Sequence, residues 1–200
     1  MPSVNLSKKL PRDWKLNFEV ESRQQFRGGT FGEASTAEGY NYILTDNTLS
    51  ASKKVGFTST LAGGYMLRFR EGRRFHRTTQ QITFTKSING LRLAHRFSTD
   101  QTFATGVASE YRLRYRIGLE KPLAGESIDP GEWYINVNHE YLQAWQGGTY
   151  DLEIRLVPSL GYELTASNKV EIGLDYRINS FVTEAASHRF WGTVNWFVSF

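Results

Sequence analysis

The chain has 200 residues, no Cys, 18 Gly, five Pro, 14% aromatic residues and a formal net charge of +4. That length fits one domain spanning residues 1–200, and the composition excludes a disordered or collagen-like polymer. Without Cys there are no disulfides, thiolate nucleophiles or Cys-ligated zinc, and the arginines alternate with apolar residues instead of forming the basic stripes that nucleic acid binding requires.

Residues 4–10 form a short alternating run, stopped at Pro11 to Trp14. In residues 15–25, Leu16, Phe18 and Val20 share one face, with Asn17, Glu19, Glu21 and Arg23 on the other. Alternation with period two predicts a strand with one apolar and one polar face. Residues 27–39 read as a long polar loop. Residues 40–54 read as a weaker strand containing Tyr42 and Leu44, with a bulge expected at Asp46-Asn47 and a tight turn over residues 53–57.

The fourth strand sets Leu61, Gly63, Tyr65, Leu67 and Phe69 against Ala62, Gly64, Met66, Arg68 and Arg70. A turn at residues 71–74 leads to a Thr- and Gln-rich fifth strand, residues 75–88, with Ile82 and Phe84. Asn89-Gly90 then predicts a type I′ hairpin, since both residues tolerate positive φ. The sixth strand is expected over residues 91–97 and the seventh over 111–119, with residues 98–110 a second polar loop. In the seventh, Tyr111, Leu113, Tyr115, Ile117 and Leu119 oppose Arg112, Arg114 and Arg116, a sorting no helix achieves.

Residues 121–132 form a turn-rich link. Three further strands follow. Trp133, Ile135, Val137, His139 and Tyr141 oppose Tyr134, Asn136, Asn138 and Glu140; beyond Gly147-Gly148, Leu152, Ile154, Leu156, Leu160 and Tyr162 oppose Asp151, Glu153, Arg155 and Glu163. After a turn at residues 165–169, Val170, Ile172, Leu174, Tyr176 and Ile178 oppose Glu171, Gly173, Asp175, Arg177 and Asn179. The last strand, residues 187–200, carries Phe190, Val194, Trp196, Val198 and Phe200 on one face.

About eleven alternating segments joined by hairpins predict an all-β, up-and-down antiparallel transmembrane β-barrel of 10–12 strands. Bacterial barrels normally have an even number. Ten strands are expected if the first run stays outside the ladder, twelve if the weak third region divides. Three features point the apolar faces to lipid instead of to a soluble interior: charged or amide residues on nearly every polar face, aromatics near strand ends (Trp14, Trp133, Tyr141, Trp145, Trp196), and the aromatic ending at Phe200. Phe200, Val198 and Trp196 resemble the terminal signal read by the outer-membrane barrel-insertion machinery, which is the partner expected during biogenesis, with outer-membrane lipid afterwards. No signal-peptide pattern follows Met1, so the export signal is expected to have been removed. With Phe200 in the periplasm, the loops at 27–39 and 98–110 become extracellular.

The hairpin at residues 4–23, His95-Arg96-Phe97, the run Tyr111 to Arg116 leading into Leu119-Glu120-Lys121-Pro122-Leu123, and the closing strand resemble a group of bacterial outer-membrane barrels catalogued as a domain of unknown function. That resemblance covers the whole chain and implies localisation in the outer membrane, with no activity attached. More distantly, the arginine usage is similar to that of oligogalacturonate- and sialic-acid-specific porins.

An apolar exterior leaves a lumen lined by Arg68, Arg70, Arg92, Arg96, Arg112, Arg114 and Arg116, opposed by Glu19, Glu21, Asp151, Glu153, Glu163, Glu171 and Asp175, with Arg177 among the latter. A basic wall on the sixth and seventh strands is expected to face an acidic wall on the second, ninth and tenth. Guanidiniums hold carboxylates and phosphates bidentately. The function expected is a narrow passive pore for small, anionic solutes. The alternative is a structural or surface-interaction barrel whose lumen is closed by an Arg/Asp/Glu network; the near balance of lumen charges favours it. No enzyme activity, cofactor or metal is expected: His95 with Ser98, Ser187 with His188 and His139 with Glu140 are odd-numbered offsets that put each pair on opposite faces. His76 beside Arg73-Arg74 reads as solvated or interfacial, and oligomeric state is not encoded in these patterns.

Overall fold

The computed structural model describes residues 1–28, 37–180, 182 and 186–200. Eleven strands make up almost all of it: β1 (Pro2–Leu10), β2 (Trp14–Gly28), β3 (Ala37–Lys54), β4 (Ser59–Arg70), β5 (Arg73–Ile88), β6 (Leu91–Ala104), β7 (Val107–Pro122), β8 (Trp133–Gln146), β9 (Thr149–Thr165), β10 (Asn168–Asn179) and β11 (Ser187–Ser199). They close into one barrel, each strand antiparallel to its sequence neighbours. The fold class is the expected one. The strand number is neither ten nor twelve, because the first run joins the ladder and the third region stays whole.

An odd count has a geometric consequence. In an up-and-down chain of eleven strands the first and last point the same way, so the seam must be parallel, and β1 pairs with β11 from Pro2↔Val194 to Ser7↔Ser199. Ser3 Oγ donates to Asn195 Oδ1 at 2.8 Å, and the Phe200 N–H donates to the Ser7 carbonyl at 2.9 Å.

At the end of the barrel holding Phe200 lie the turns at Pro11 to Asp13, Val55 to Thr58, Asn89-Gly90 and Ala166-Ser167, and the connection 123–132. At the opposite end lie the β2–β3 connection, Glu71-Gly72, Thr105-Gly106, Gly147-Gly148 and the β10–β11 connection. Asn89 (φ 47°) and Gly90 (φ 75°) adopt the predicted type I′ conformation, as do Glu71-Gly72 and Gly147-Gly148.

Two expectations are corrected. Residues 98–110 are not a loop: β6 and β7 run through them to the two-residue turn Thr105-Gly106. The irregularities in β3 fall at Ile43, which is skipped between Arg23↔Leu44 and Gln24↔Tyr42, and between Asn41 and Glu38, while Asp46 and Asn47 pair regularly. The turn-rich link expected over 121–132 is the connection 123–132, which lies at the Phe200 end and passes close to Gly90 through Glu126. The expected loop at 27–39 is strand up to Gly28 and from Ala37, and its centre lies outside the described residues.

Side chains divide as the alternation predicts. Outward positions carry Val4, Leu16, Phe18, Leu61, Tyr65, Leu113, Leu119, Ile135, Leu156, Ile172, Val194 and Trp196, all exposed. Inward positions carry Ser3, Asn5, Asp46, Arg77, Asp100, Glu140, Glu171, Asp175 and Arg177, all buried. Leu44 is an exception to the sequence reading: it turns inward and is buried with Met66 and Leu142. One polar island sits on the outer face, where Thr78 donates to Gln101, Thr99 donates to Gln80, and the two Gln amides bond to each other. This island hides the alternation of β6 in the sequence.

Candidate functional site

The polar lumen is the part of the molecule where chemistry concentrates, and the β-ladder decides its pairings. Directly opposed residues on neighbouring strands come within contact distance. Register sets Asp100 opposite Arg112, Glu140 opposite both Arg116 and Arg155, and Asp46 opposite Arg68. Each becomes an ion pair: Arg112–Asp100 at 3.0 Å, Arg116–Glu140 at 2.8 Å, Arg155–Glu140 at 3.2 Å and Arg68–Asp46 at 2.6 Å. Arg114 binds Asp100 and reaches Glu140 at 4.0 Å, so it joins the two carboxylate centres.

The network is dry. Asp100 is 1% exposed and Glu140 2%, although both face the centre of the barrel. Thr79 also donates to Asp100 at 2.8 Å, and Arg155 adds a pair with Glu153. Buried charges persist only when paired and hydrogen-bonded, and here the arginines of β7 are held between an acid on β6 and one on β8. The expectation of a basic wall facing an acidic wall is therefore corrected: opposite charges intermingle on adjacent strands, which are closer than the far side of the lumen.

Of the residues singled out from the sequence, Arg112, Arg114, Arg116 and Glu153 belong to this network. Arg68 forms a second cluster with Asp46, Arg23 and Glu21. Asp175 and Arg177 pair with each other at 2.6 Å. Arg70 pairs with Glu71 at one rim, and Arg92 pairs with Glu120 at the other, both half-exposed. Arg96 faces inward opposite Arg116, and Glu19 lies opposite Asn5. Asp151 accepts the Ser180 N–H at 3.1 Å and so holds the start of the β10–β11 connection. Glu171 accepts from Tyr134 at 2.9 Å and from Ser159 at 3.3 Å, with Lys169 at 3.9 Å; Glu163 bonds through its backbone to Glu132. Trp196 and Phe200 face outward with Val198 between them in the alternation.

Sequence reasoning missed Asp46, Asp100 and Arg77 as site residues, and passed over Glu140 and Arg155. Asp46 lies in the expected bulge and Asp100 in the expected loop. A signal for Asp100 existed: Phe97 and Phe103 share one parity, which carries the strand through and places residue 100 inside. The histidines all face outward beside tyrosines, with His95–Tyr115 and Tyr176–His188 hydrogen-bonded at 2.8 Å, Tyr65 bonded to His76, and His139 edge-on to Tyr141.

No curated protein and no solved structure matches the chain. A family match does cover almost all of it, from the first strand into the last: residues 2–191 fit the family described as Protein of unknown function (DUF2490), and the chain belongs to that family.

Proposed function

We propose that this protein is a bacterial outer-membrane β-barrel whose lumen is closed by its own arginine–carboxylate network, and that it serves as a structural or surface-interaction barrel. The burial of Asp100 and Glu140 at the centre of the lumen carries this reading. A pore selective for anions needs guanidiniums free to meet a solute, whereas Arg112, Arg114 and Arg116 are engaged with these two carboxylates. Eleven strands lie between small barrels, filled by side chains, and porins of 16 or more, which keep a channel.

Membrane residence is supported by the outer face, where large apolar side chains such as Ile172 and Val194 stay exposed all round the barrel. In water so much exposed apolar surface would drive association. In lipid it is the solvated surface, and the ladder satisfies the backbone groups, as a membrane-spanning sheet requires. No described helix is long and apolar enough to cross a membrane. Lipid and the insertion machinery are the partners proposed, without cofactor or catalytic step.

Planar-bilayer recording tests the reading. The parent barrel, refolded and inserted, is expected to be silent. The variant D100S/R114S/E140S/R155S, which removes acids and bases in equal number, is expected to show conductance steps. Stepwise anion-preferring conductance in the parent, reduced on replacing Arg112, Arg114 and Arg116, would restore the passive-pore reading and its likeness to acidic-sugar porins.

A further inference from the structure

At the barrel end opposite Phe200, above the closed network, a recess of about 130 Å³ is lined by Arg68, Arg70, Arg77, Thr102, Glu110 and Gln146. Its polar lining and size set its contents. One water occupies about 30 Å³ of liquid, so the recess holds a group of a few heavy atoms and excludes a drug-sized molecule, which needs 300 Å³ or more.

Of the three arginines there, Arg77 has the longest contact to an acid, 3.7 Å against 2.6 Å for Arg68 and 3.1 Å for Arg70. It is 7% exposed. Its Nε donates to Thr102 Oγ1 at 2.8 Å, while among the described residues its terminal nitrogens meet the Met66 sulfur at 3.9 Å and Glu110 at 3.7 Å. Glu110 is itself shared with Arg112 at 3.6 Å. Compare Arg68, whose fork closes on Asp46 at 2.7 and 2.6 Å. A guanidinium held in low dielectric without a short contact to an acid is costly, and an oxoanion accepting two parallel N–H bonds relieves that cost. Arg70, 48% exposed in its side chain and paired at 3.1 Å with the exposed Glu71, stands at the opening as the second cation.

We propose that this recess binds a small oxoanion, of the size of inorganic phosphate, with Arg77 as the buried bidentate donor and Arg70 as the cation at the mouth. The group is carried either by a free anion or by a phosphorylated headgroup reaching over the rim. The site does not depend on whether the barrel conducts.

The test is the thermal unfolding midpoint of the detergent-refolded full chain, titrated with sodium phosphate against sodium chloride at equal ionic strength. Phosphate is expected to raise the midpoint saturably, since a ligand that binds only the folded state stabilises it. Arg77→Met is expected to weaken the response at least tenfold and Arg70→Gln several-fold, while Arg92→Gln at the other rim leaves it unchanged. Arg70 is exposed, so its replacement keeps the test decisive if Arg77→Met does not fold. Vesicles containing phosphatidic acid separate the sources: competition with free phosphate assigns the site to a headgroup, and no competition assigns it to the free anion. An equal response to chloride, or a phosphate response unchanged in both Arg77→Met and Arg70→Gln, overturns the proposal.

Discussion

Tyr134 lies across Gly161. The two are register partners on β8 and β9, and the tyrosine hydroxyl passes over the glycine to donate to Glu171 on β10 at 2.9 Å. A Cβ at residue 161 would stand 2.1 Å from the ring, so the fully buried Tyr134 occupies the volume the glycine leaves empty. Aromatic cover of a strand glycine restores the packing that the missing side chain forfeits.

Gly161→Ala is therefore expected to expel the ring and destabilise the barrel by about 1–3 kcal/mol, the cost of overpacking. Tyr134→Ala in the same chain should recover part of that loss, because the clash and its partner disappear together. Urea unfolding in micelles, followed by tryptophan fluorescence, measures both. Equal stability of Gly161→Ala and parent would show that the ring lies elsewhere.

Arg114 joins Asp100 to Glu140, which makes the two acids one electrostatic unit. Asp100→Asn and Glu140→Gln should each cost about 3–5 kcal/mol, since each strands buried guanidiniums without their counter-charge. Combined, they should depart from additivity by about 0.5–3 kcal/mol, as neighbours in one network do. Strictly additive losses in the same urea assay would mean that Arg114 serves only one of them.

Much of this barrel was legible in the sequence because each strand puts apolar residues on one side and polar ones on the other. Tyr111 to Leu119 and Val170 to Ile178 needed nothing else. The reading failed where the outer face is itself polar. Thr99 and Gln101 break the apolar alternation of β6, and their partners, Thr78 and Gln80, lie on a neighbouring strand that a local window does not join to them. That gap concealed Asp100, and with it the reason Arg112 and Arg114 are not free. Composition alone could not show that Glu140 pairs with Arg155, because pairing is a property of register, and register is set by the whole ladder. For the same reason the parity of the strand count, and the parallel seam it imposes, was not visible in the alternating segments.

The seam offers a direct test of closure. The Ser7 and Ser199 hydroxyl oxygens lie 3.0 Å apart across β1 and β11, and the chain has no native Cys to interfere. Ser7→Cys with Ser199→Cys should form a disulfide on oxidation, seen as a faster band in non-reducing gels of the heat-denatured protein and reversed by reductant. Pairing Ser7→Cys with Val198→Cys should not, because a one-residue slip turns the second sulfur to the outer face. The bond would close nearly the whole chain into a loop, worth on the order of 5 kcal/mol in the chain-entropy account, so the crosslinked barrel should also unfold at higher urea. A first strand lying outside the ladder predicts the reverse pattern: neither pair crosslinks above the single-cysteine controls, and oxidation leaves the unfolding midpoint where it was.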